Sequence, residues 1–439
     1  MEPARVGPRI VIVGGGAGGL ELATRLGNKL GRRKRAEIVL IDRSLTHLWK
    51  PLLHEVAAGT LDSHIDRLDY LAQARWHHFQ FRIGRMEGVD RTRREVILSA
   101  LPDEEGRELI PRRSVGYEIL VLAVGSVSND YGIPGVREHC NDLDCWEEAA
   151  RFHRLFLYNF LRAQHQPESL GPGQLNVAII GAGATGVELA AELHHAARQL
   201  VTFGLDRIRP DRDMRLILIE AAQRVLPALP ERLVRAVEGE LQRIGVDVLK
   251  GKRVLQVTAE GVHLEGGRFV SAHLKVWAAG IQAPDFLKDL DGLETNRIHQ
   301  LVVHQTLETT RDENIYALGD CASCPQPASG TTVPPRAQAA HQQAYTLARS
   351  LCRRIEGKPP VSYVYRDYGS LVSLSRYTTV GSLMGNLTGD IMIEGRLARL
   401  VYRFLYRLHQ LSLHGFLHTF TSILSDSLTR RRSHRLKLH

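Results

Sequence analysis

Arg9-Ile10-Val11-Ile12-Val13-Gly14-Gly15-Gly16-Ala17-Gly18-Gly19 is the stretch that decides the fold. An apolar, β-branched run enters a glycine-rich turn, and Leu20 to Leu26 continues with helical spacing. A second apolar run, Ile38-Val39-Leu40-Ile41, ends on Asp42, 23 residues after Gly19. This is G-x-G-x-x-G between a strand and a helix, with a distal acid. Gly14 suits the tight turn, Gly16 lets a pyrophosphate approach the backbone, and Gly19 allows close helix–strand packing. The free N–H groups and positive dipole end of the helix face the phosphates. Asp42, at a strand end, can accept ribose hydroxyls. A glycine pattern alone arises by chance; strand, helix and acid together read as a dinucleotide site.

The pattern recurs. Val177-Ala178-Ile179-Ile180 precedes Gly181-Ala182-Gly183-Ala184-Thr185-Gly186, a helical run follows, and Leu216-Ile217-Leu218-Ile219 ends on Glu220. That acid lies 34 residues past Gly186, the excess falling in the polar stretch from Thr202 to Met214. Both halves close alike, on Ile119 to Gly125 and on Leu274 to Gly280. The duplication predicts an α/β fold with two Rossmann-like domains, one dinucleotide in each. The alternative is one working site and one relic; the presence of both acids favours two.

Composition agrees. The chain has 439 residues, 44% hydrophobic and 24% charged, which excludes wholesale disorder, a collagen-like fibre and a disulfide-stapled scaffold. Five cysteines are too few for a secreted framework. No run of 18 apolar residues occurs, so an ordinary transmembrane helix is not expected. From Arg396 on, nine Lys/Arg face a single acid, so this segment carries +8 of the net +9. The protein is a neutral body with a basic tail.

After the second half, Glu313 to Asp320 reads as a strand ending in Gly319-Asp320. Here the sequence resembles the two-dinucleotide-binding flavoprotein oxidoreductases. Their Gly-Asp returns to the flavin, although in isolation the pair would read as a simple turn. Thr46 to Glu55, Pro334 to Gln343, Tyr368 to Ser373 and the tail narrow the resemblance, over essentially the whole chain, to the bacterial type II NADH:quinone oxidoreductases. It implies bound FAD, NADH as substrate, and a quinone (ubiquinone or menaquinone) as acceptor, without proton pumping. It implies flavin contacts at Gly14, Gly16, Gly19, Asp42, Arg43, Ala123, Gly125, Gly319, Asp320, Ala337 and Gln338. Nicotinamide contacts follow at Gly181, Gly183, Gly186, Glu220, Ala279 and Gly280. The FAD domain is expected over 1–140 and 290–365, the NADH domain over 141–289, and a membrane segment over 366–439.

Four residues stand out for catalysis. Lys50, in the flavin-adjacent loop, would stabilise negative charge at the flavin's N1–C2 edge, or else is a solvated lysine. By the same resemblance Glu188 would face the flavin and position protons, unless it only serves the helix dipole. Gln338 and Gln342, four apart, share a helical face that could hydrogen-bond a quinone carbonyl, or form an ordinary polar face. Cys321-Ala322-Ser323-Cys324 tempts a redox-disulfide reading, but its place after Gly-Asp favours a structural one. Twenty histidines form no ligand cluster, so no metal is expected.

In the tail, Arg396, Arg399, Arg403 and Arg407 make one stripe beside an apolar arc, Leu397, Leu400, Val401, Phe404, Leu408 and Leu411. A basic amphipathic helix of this kind lies in a membrane interface. The alternatives are a core helix or a nucleic-acid-binding tail; no recognition fold accompanies it, so nucleic acid is not expected. The implied place is the cytoplasmic face of the inner membrane, with a homodimer left open. Two rival functions remain, a sulfide:quinone oxidoreductase, which needs a reactive cysteine pair, and a redox-sensing NADH-binding flavoprotein.

Overall fold

The computed structural model describes residues 7–394, except 48, 62–67, 104, 228, 328, 376–377 and 386–388. The basic tail from Arg396, read above as an interfacial helix, lies outside the described residues. Among those described, one compact unit gathers 7–49, 68–127 and 281–367, and a second gathers 50–61, 128–280 and 368–394.

The first unit is built on a six-stranded sheet. Arg9–Val13 is flanked in parallel by Glu37–Asp42 and Ile119–Leu122, with Ile12 opposite Leu40 on one side and Val121 on the other. Gln80–Ile83 extends the sheet beyond Glu37–Asp42, and Asp312–Ala317 extends it beyond Ile119–Leu122, both parallel. Glu308–Thr309 closes that edge antiparallel. All five residues of Arg9–Val13 are buried, as a strand covered on both faces requires. Ala17–Leu26 packs against the long helix Ala337–Ile355.

The second unit repeats the plan. Val177–Ile180 is flanked in parallel by Leu216–Ile219 and Leu274–Trp277, and Val246–Leu249 lies beyond Leu216–Ile219. The correspondence runs deeper than the glycine motifs. Each unit inserts a three-stranded antiparallel sheet before its closing strand, Met86–Asp90, Glu95–Leu98 and Arg113–Gly116 in the first. Val254–Val257, Gly261–Leu264 and Phe269–Ser271 take that place in the second. In the second unit Ile180, Ile217, Ile219, Val262, Leu264 and Trp277 join one buried cluster.

The sequence puts the changes of half at 140/141 and 289/290, whereas the compact units divide at 127/128 and 280/281. Hydrogen bonds explain the first shift. Ser128 donates from its backbone N–H and its hydroxyl to Asp144, at 2.6 and 3.1 Å. The buried Trp277 indole donates to the Asn129 carbonyl at 2.7 Å. Residues 50–61 join the second unit because the short helix Leu53–Ala58 packs against both Trp146–His165 and Ala184–Thr202.

Gly14 and Gly181 hold equivalent positive φ values, +102° and +105°. A Cβ at Gly14 would lie 2.3 Å from the Ala123 carbonyl oxygen, and one at Gly181 2.4 Å from that of Ala278. Gly14→Ala and Gly181→Ala combine this overlap with a backbone conformation that costs an L-residue about 1–3 kcal/mol. Each should lower the chemical-denaturation stability of the flavin-loaded protein by at least that amount. A change below about 0.5 kcal/mol would show that the turns relax freely.

Candidate active site

The two glycine turns are held by the same device. In the first unit the Gly15 N–H donates to Asp42 Oδ2 at 2.6 Å, and the Ser44 N–H to Oδ1 at 2.8 Å. In the second unit Ala182 N–H donates to Glu220 Oε2 at 2.7 Å, and Ala222 N–H to Oε1 at 2.8 Å. Each acid therefore clamps its own glycine loop to the neighbouring strand. Each carboxylate oxygen keeps a second lone pair for a ligand hydroxyl. Burial pushes the Asp42 carboxyl above its ordinary range, opposed by these N–H bonds and by Arg43.

Beyond the clamp lies an open cradle. Gly16 and Gly183 precede the helices Ala17–Leu26 and Ala184–Thr202, and a Cβ on either would meet nothing within 4 Å. Space against the amino end of a helix is what a pyrophosphate needs. The residues present thus fit a dinucleotide in each unit.

The first unit adds supports that the sequence reading missed. The Gly15 carbonyl accepts the Tyr70 hydroxyl at 2.7 Å and lies 2.9 Å from His47 Nδ1. His47 is buried, which pushes its imidazole down to about 4, so it is neutral at physiological pH. The Ser126 hydroxyl donates to Asp320 at 2.9 Å, and Gln300 Nε2 donates to the Asp320 carbonyl at 2.9 Å. Gln343, 1% exposed, accepts the Gly319 N–H at 2.7 Å. Tyr70 belongs to no motif, and Gln343 closes the Pro334 to Gln343 run without that run naming its partner; only the folded chain brings them to the turns.

Ala337 starts its helix directly after Pro334-Pro335 and Arg336. Gln338 and Gln342 share the expected face, but the first unit already uses their amides. Gln338 Nε2 donates to Asp367 at 3.2 Å, and Arg336 binds the other oxygen of that carboxylate at 3.0 Å. Gln342 donates to the Arg366 carbonyl at 2.8 Å and accepts the Arg366 N–H at 3.0 Å. In the second unit the Tyr131 hydroxyl donates to the Ala279 carbonyl at 3.3 Å and fills the space beside Gly280. Lys50 is exposed and within electrostatic reach of Asp144.

Glu188 lies in the second turn of Ala184–Thr202 and is 6% exposed. Its Oε1 accepts the Ser373 N–H at 2.9 Å, and its Oε2 lies 3.7 Å from His54 Nδ1. Desolvation first, then Glu55 and Glu192, push its carboxyl up to about 8, against the Ser373 bond. Burial pushes His54 down to about 4 despite a bond to the Pro51 backbone. The pair stands at ion-pair distance, yet both partners are neutral at pH 7, with the proton on Glu188. One turn on, Glu192 accepts the Thr60 hydroxyl at 3.1 Å. The site can hold one dissociable proton away from water.

The five cysteines are free. Cys321 is fully buried with its thiol against the Leu122 and Leu318 carbonyls, and burial pushes it up to about 11 and Cys324 up to about 12. Such thiols make poor nucleophiles at neutral pH.

The family model for pyridine nucleotide-disulphide oxidoreductases matches residues 8–344. A type II NADH:quinone oxidoreductase of Haemophilus influenzae is 43% identical, over 98% of this chain and 99% of that one. The chain belongs to this family. A type II NADH:quinone oxidoreductase of Mycobacterium tuberculosis is 27% identical over 98% of the chain and 90% of its own length. The solved NDH2 from Plasmodium falciparum in complex with NADH shares the fold, with TM-score 0.81 at 19% identity, covering 98% of this chain and 99% of that one. The sulfide:quinone oxidoreductase of Aquifex aeolicus superposes less well, with TM-score 0.71 at 17% identity, covering 98% of this chain and 96% of that one.

As a type II NADH:quinone oxidoreductase the protein oxidises NADH and passes two electrons, through bound FAD, to a quinone. The flavin supplies the hydride-accepting and electron-donating chemistry. The chain supplies the clamped loops, the helix ends and a buried proton.

The unfolded Glu188 carboxyl ionises near its ordinary value of 4.5 and the folded one near 8. Between these values the folded state holds an extra proton, so stability falls as pH rises through that window and levels off above it. Glu188→Gln removes the penalty and keeps an acceptor for Ser373. The variant should match the parent near pH 4 and exceed it by up to about 4 kcal/mol at pH 7.5. Denaturation midpoints across that range measure this; a constant difference would mean that Glu188 ionises normally.

Proposed function

We propose that the first unit carries FAD and the second carries NADH, with Glu188 as the proton-holding residue for quinone reduction. The observation that carries this is Glu188 buried 3.7 Å from His54 in the second unit. Reducing a quinone to a quinol consumes two protons, and a buried carboxyl that is still protonated at neutral pH can give one. Its recharging requires a proton from solvent; Glu55 on Leu53–Ala58 and Glu192 on its own helix are acidic groups within electrostatic reach.

The cradles at Gly16 and Gly183 support the division between cofactors. Gly16→Val should cost the protein its flavin, seen as loss of visible absorbance after desalting. Gly183→Val should keep the flavin and raise the KM for NADH at least tenfold. Reversal of the two outcomes would exchange the assignments. In the second unit Glu220 favours NADH over NADPH, because a carboxylate beside the ribose repels a 2′-phosphate.

For the quinone, Gln338 and Gln342 act as positioning residues. Their bonds to Asp367 and Arg366 fix the chain a few residues ahead of Ser370–Leu374, the strand that carries Ser373. Lys50 supplies positive charge near Asp144. Rapid mixing separates the half-reactions: Glu188→Gln and Gln338→Ala should leave flavin bleaching by NADH within about twofold of the parent. Reoxidation by quinone should slow at least tenfold. Equal loss in both halves would remove them from the quinone step.

The basic tail would hold the enzyme on anionic lipid at the cytoplasmic face of the membrane, through its arginine stripe and apolar arc. Among the described residues no helix is long and apolar enough to cross a membrane. A homodimer fits the same reading, and nucleic acid does not.

A further inference from the structure

The helix Trp146–His165 has two faces of different character. Its inner face is a packed aromatic ladder. Phe152, Phe156 and Phe160 are each at most 1% exposed, with successive ring centroids 6.4 and 5.0 Å apart. That face packs against Leu53–Ala58. The outer face is unusual because its apolar side chains are large and open. Leu155 is 40% exposed, Tyr158 59% and Leu161 37%. At 100° per residue these three, with Arg151, Arg154, Arg162 and His165, fall within one arc of about 120°. The stripe is about 21 Å long. From Arg151 to His165 the sequence contains no acid.

A single exposed leucine needs no explanation, but three aligned apolar side chains on one helix face do. Charge decides what covers them. The basic tail carries +8, so laying it here would set arginine against arginine. A two-fold contact with a second copy would do the same, since the patch would meet itself. An anionic surface is complementary to the stripe. Phospholipid also offers what the side chains need in depth: a hydrocarbon boundary for the leucines, a headgroup level for the tyrosine, and phosphates for arginines that reach outward.

We propose that the outer face of Trp146–His165 rests on anionic phospholipid, with Leu155, Tyr158 and Leu161 entering the headgroup–acyl boundary and the arginines at the phosphates. This is a second lipid contact, distinct from the tail. It rests on the enzyme working at a membrane, not on which segment attaches it. It also shortens the path of a lipid-dissolved quinone. The short helix Leu53–Ala58, which carries His54, packs against both the lipid-facing helix and the helix that carries Glu188.

The test uses the full-length, flavin-loaded enzyme. Tyr158→Trp places a reporter on the stripe, and Leu255→Trp places a control at another exposed apolar position of the second unit, 55% exposed. Both are mixed with phosphatidylglycerol–phosphatidylcholine vesicles whose acyl chains carry bromine. Fluorescence above the parent background should be quenched for Trp at 158 and not at 255. Separately, Arg154→Gln with Arg162→Gln should lower partition onto these vesicles about thirtyfold, from roughly fivefold per arginine. Flavin content and turnover with a water-soluble quinone should stay unchanged. Pelleting with vesicles while position 158 stays unquenched would overturn this contact and leave tail attachment standing. No pelleting on any lipid would overturn both. A dimer in sedimentation velocity that the arginine variant dissociates would show that the face belongs to a second copy.

Discussion

Two carboxylates organise this molecule. A glycine turn can bring its backbone within reach of a pyrophosphate only if it has no side chains, and a loop without side chains has little to hold it in place. Asp42 and Glu220 supply the anchor, each accepting one N–H from the turn and one from just beyond its own strand. The bonds are charge-assisted and of the stronger kind. They fix the spacing between the first two strands of each sheet at the point where the ligand arrives. The helix start, the open space beside Gly16 and Gly183, and the closing strand beside Gly14 and Gly181 all take their positions from that clamp.

This accounts for what was legible in the sequence. The turns demand glycine for steric reasons and the strand ends demand an acid for electrostatic ones, so both leave marks at fixed positions. The duplicated sheets follow from those marks. The two antiparallel insertions leave none, because strands such as Val254–Val257 and Phe269–Ser271 are three or four residues long and carry no periodicity of their own. The transfer of residues 50–61 to the second unit was equally hidden. It depends on which helices the Leu53–Ala58 face meets, a tertiary fact. Tyr70, His47 and Gln343 belong to the same class. Each contributes one hydrogen bond to a turn named in the sequence: Tyr70 from outside any motif, His47 and Gln343 from runs that do not reveal which turn they meet.

Gln338 and Gln342 show the opposite limit. Helical spacing correctly puts them on one face, and spacing cannot tell what the face meets. In the folded first unit the face meets residues 366–367, Gln338 holding the Asp367 carboxylate and Gln342 the Arg366 backbone, ahead of the strand bearing Ser373.

Glu188 and His54 complete the physical argument. Two groups that would pair as ions on a surface stand 3.7 Å apart in a site where both are almost fully buried. Moving the proton from the acid to the imidazole would create two charges there, and burial opposes both, pushing the carboxyl up and the imidazole down. Glu55 and Glu192 reinforce the outcome by opposing a third negative charge. The carboxyl therefore keeps its proton through neutral pH. A fully exposed glutamate would already have lost that proton. A glutamate buried without the Ser373 N–H would hold it more strongly, because nothing would receive the carboxylate left behind. The single backbone bond from Ser373 thus sets this acid between storing a proton and releasing it.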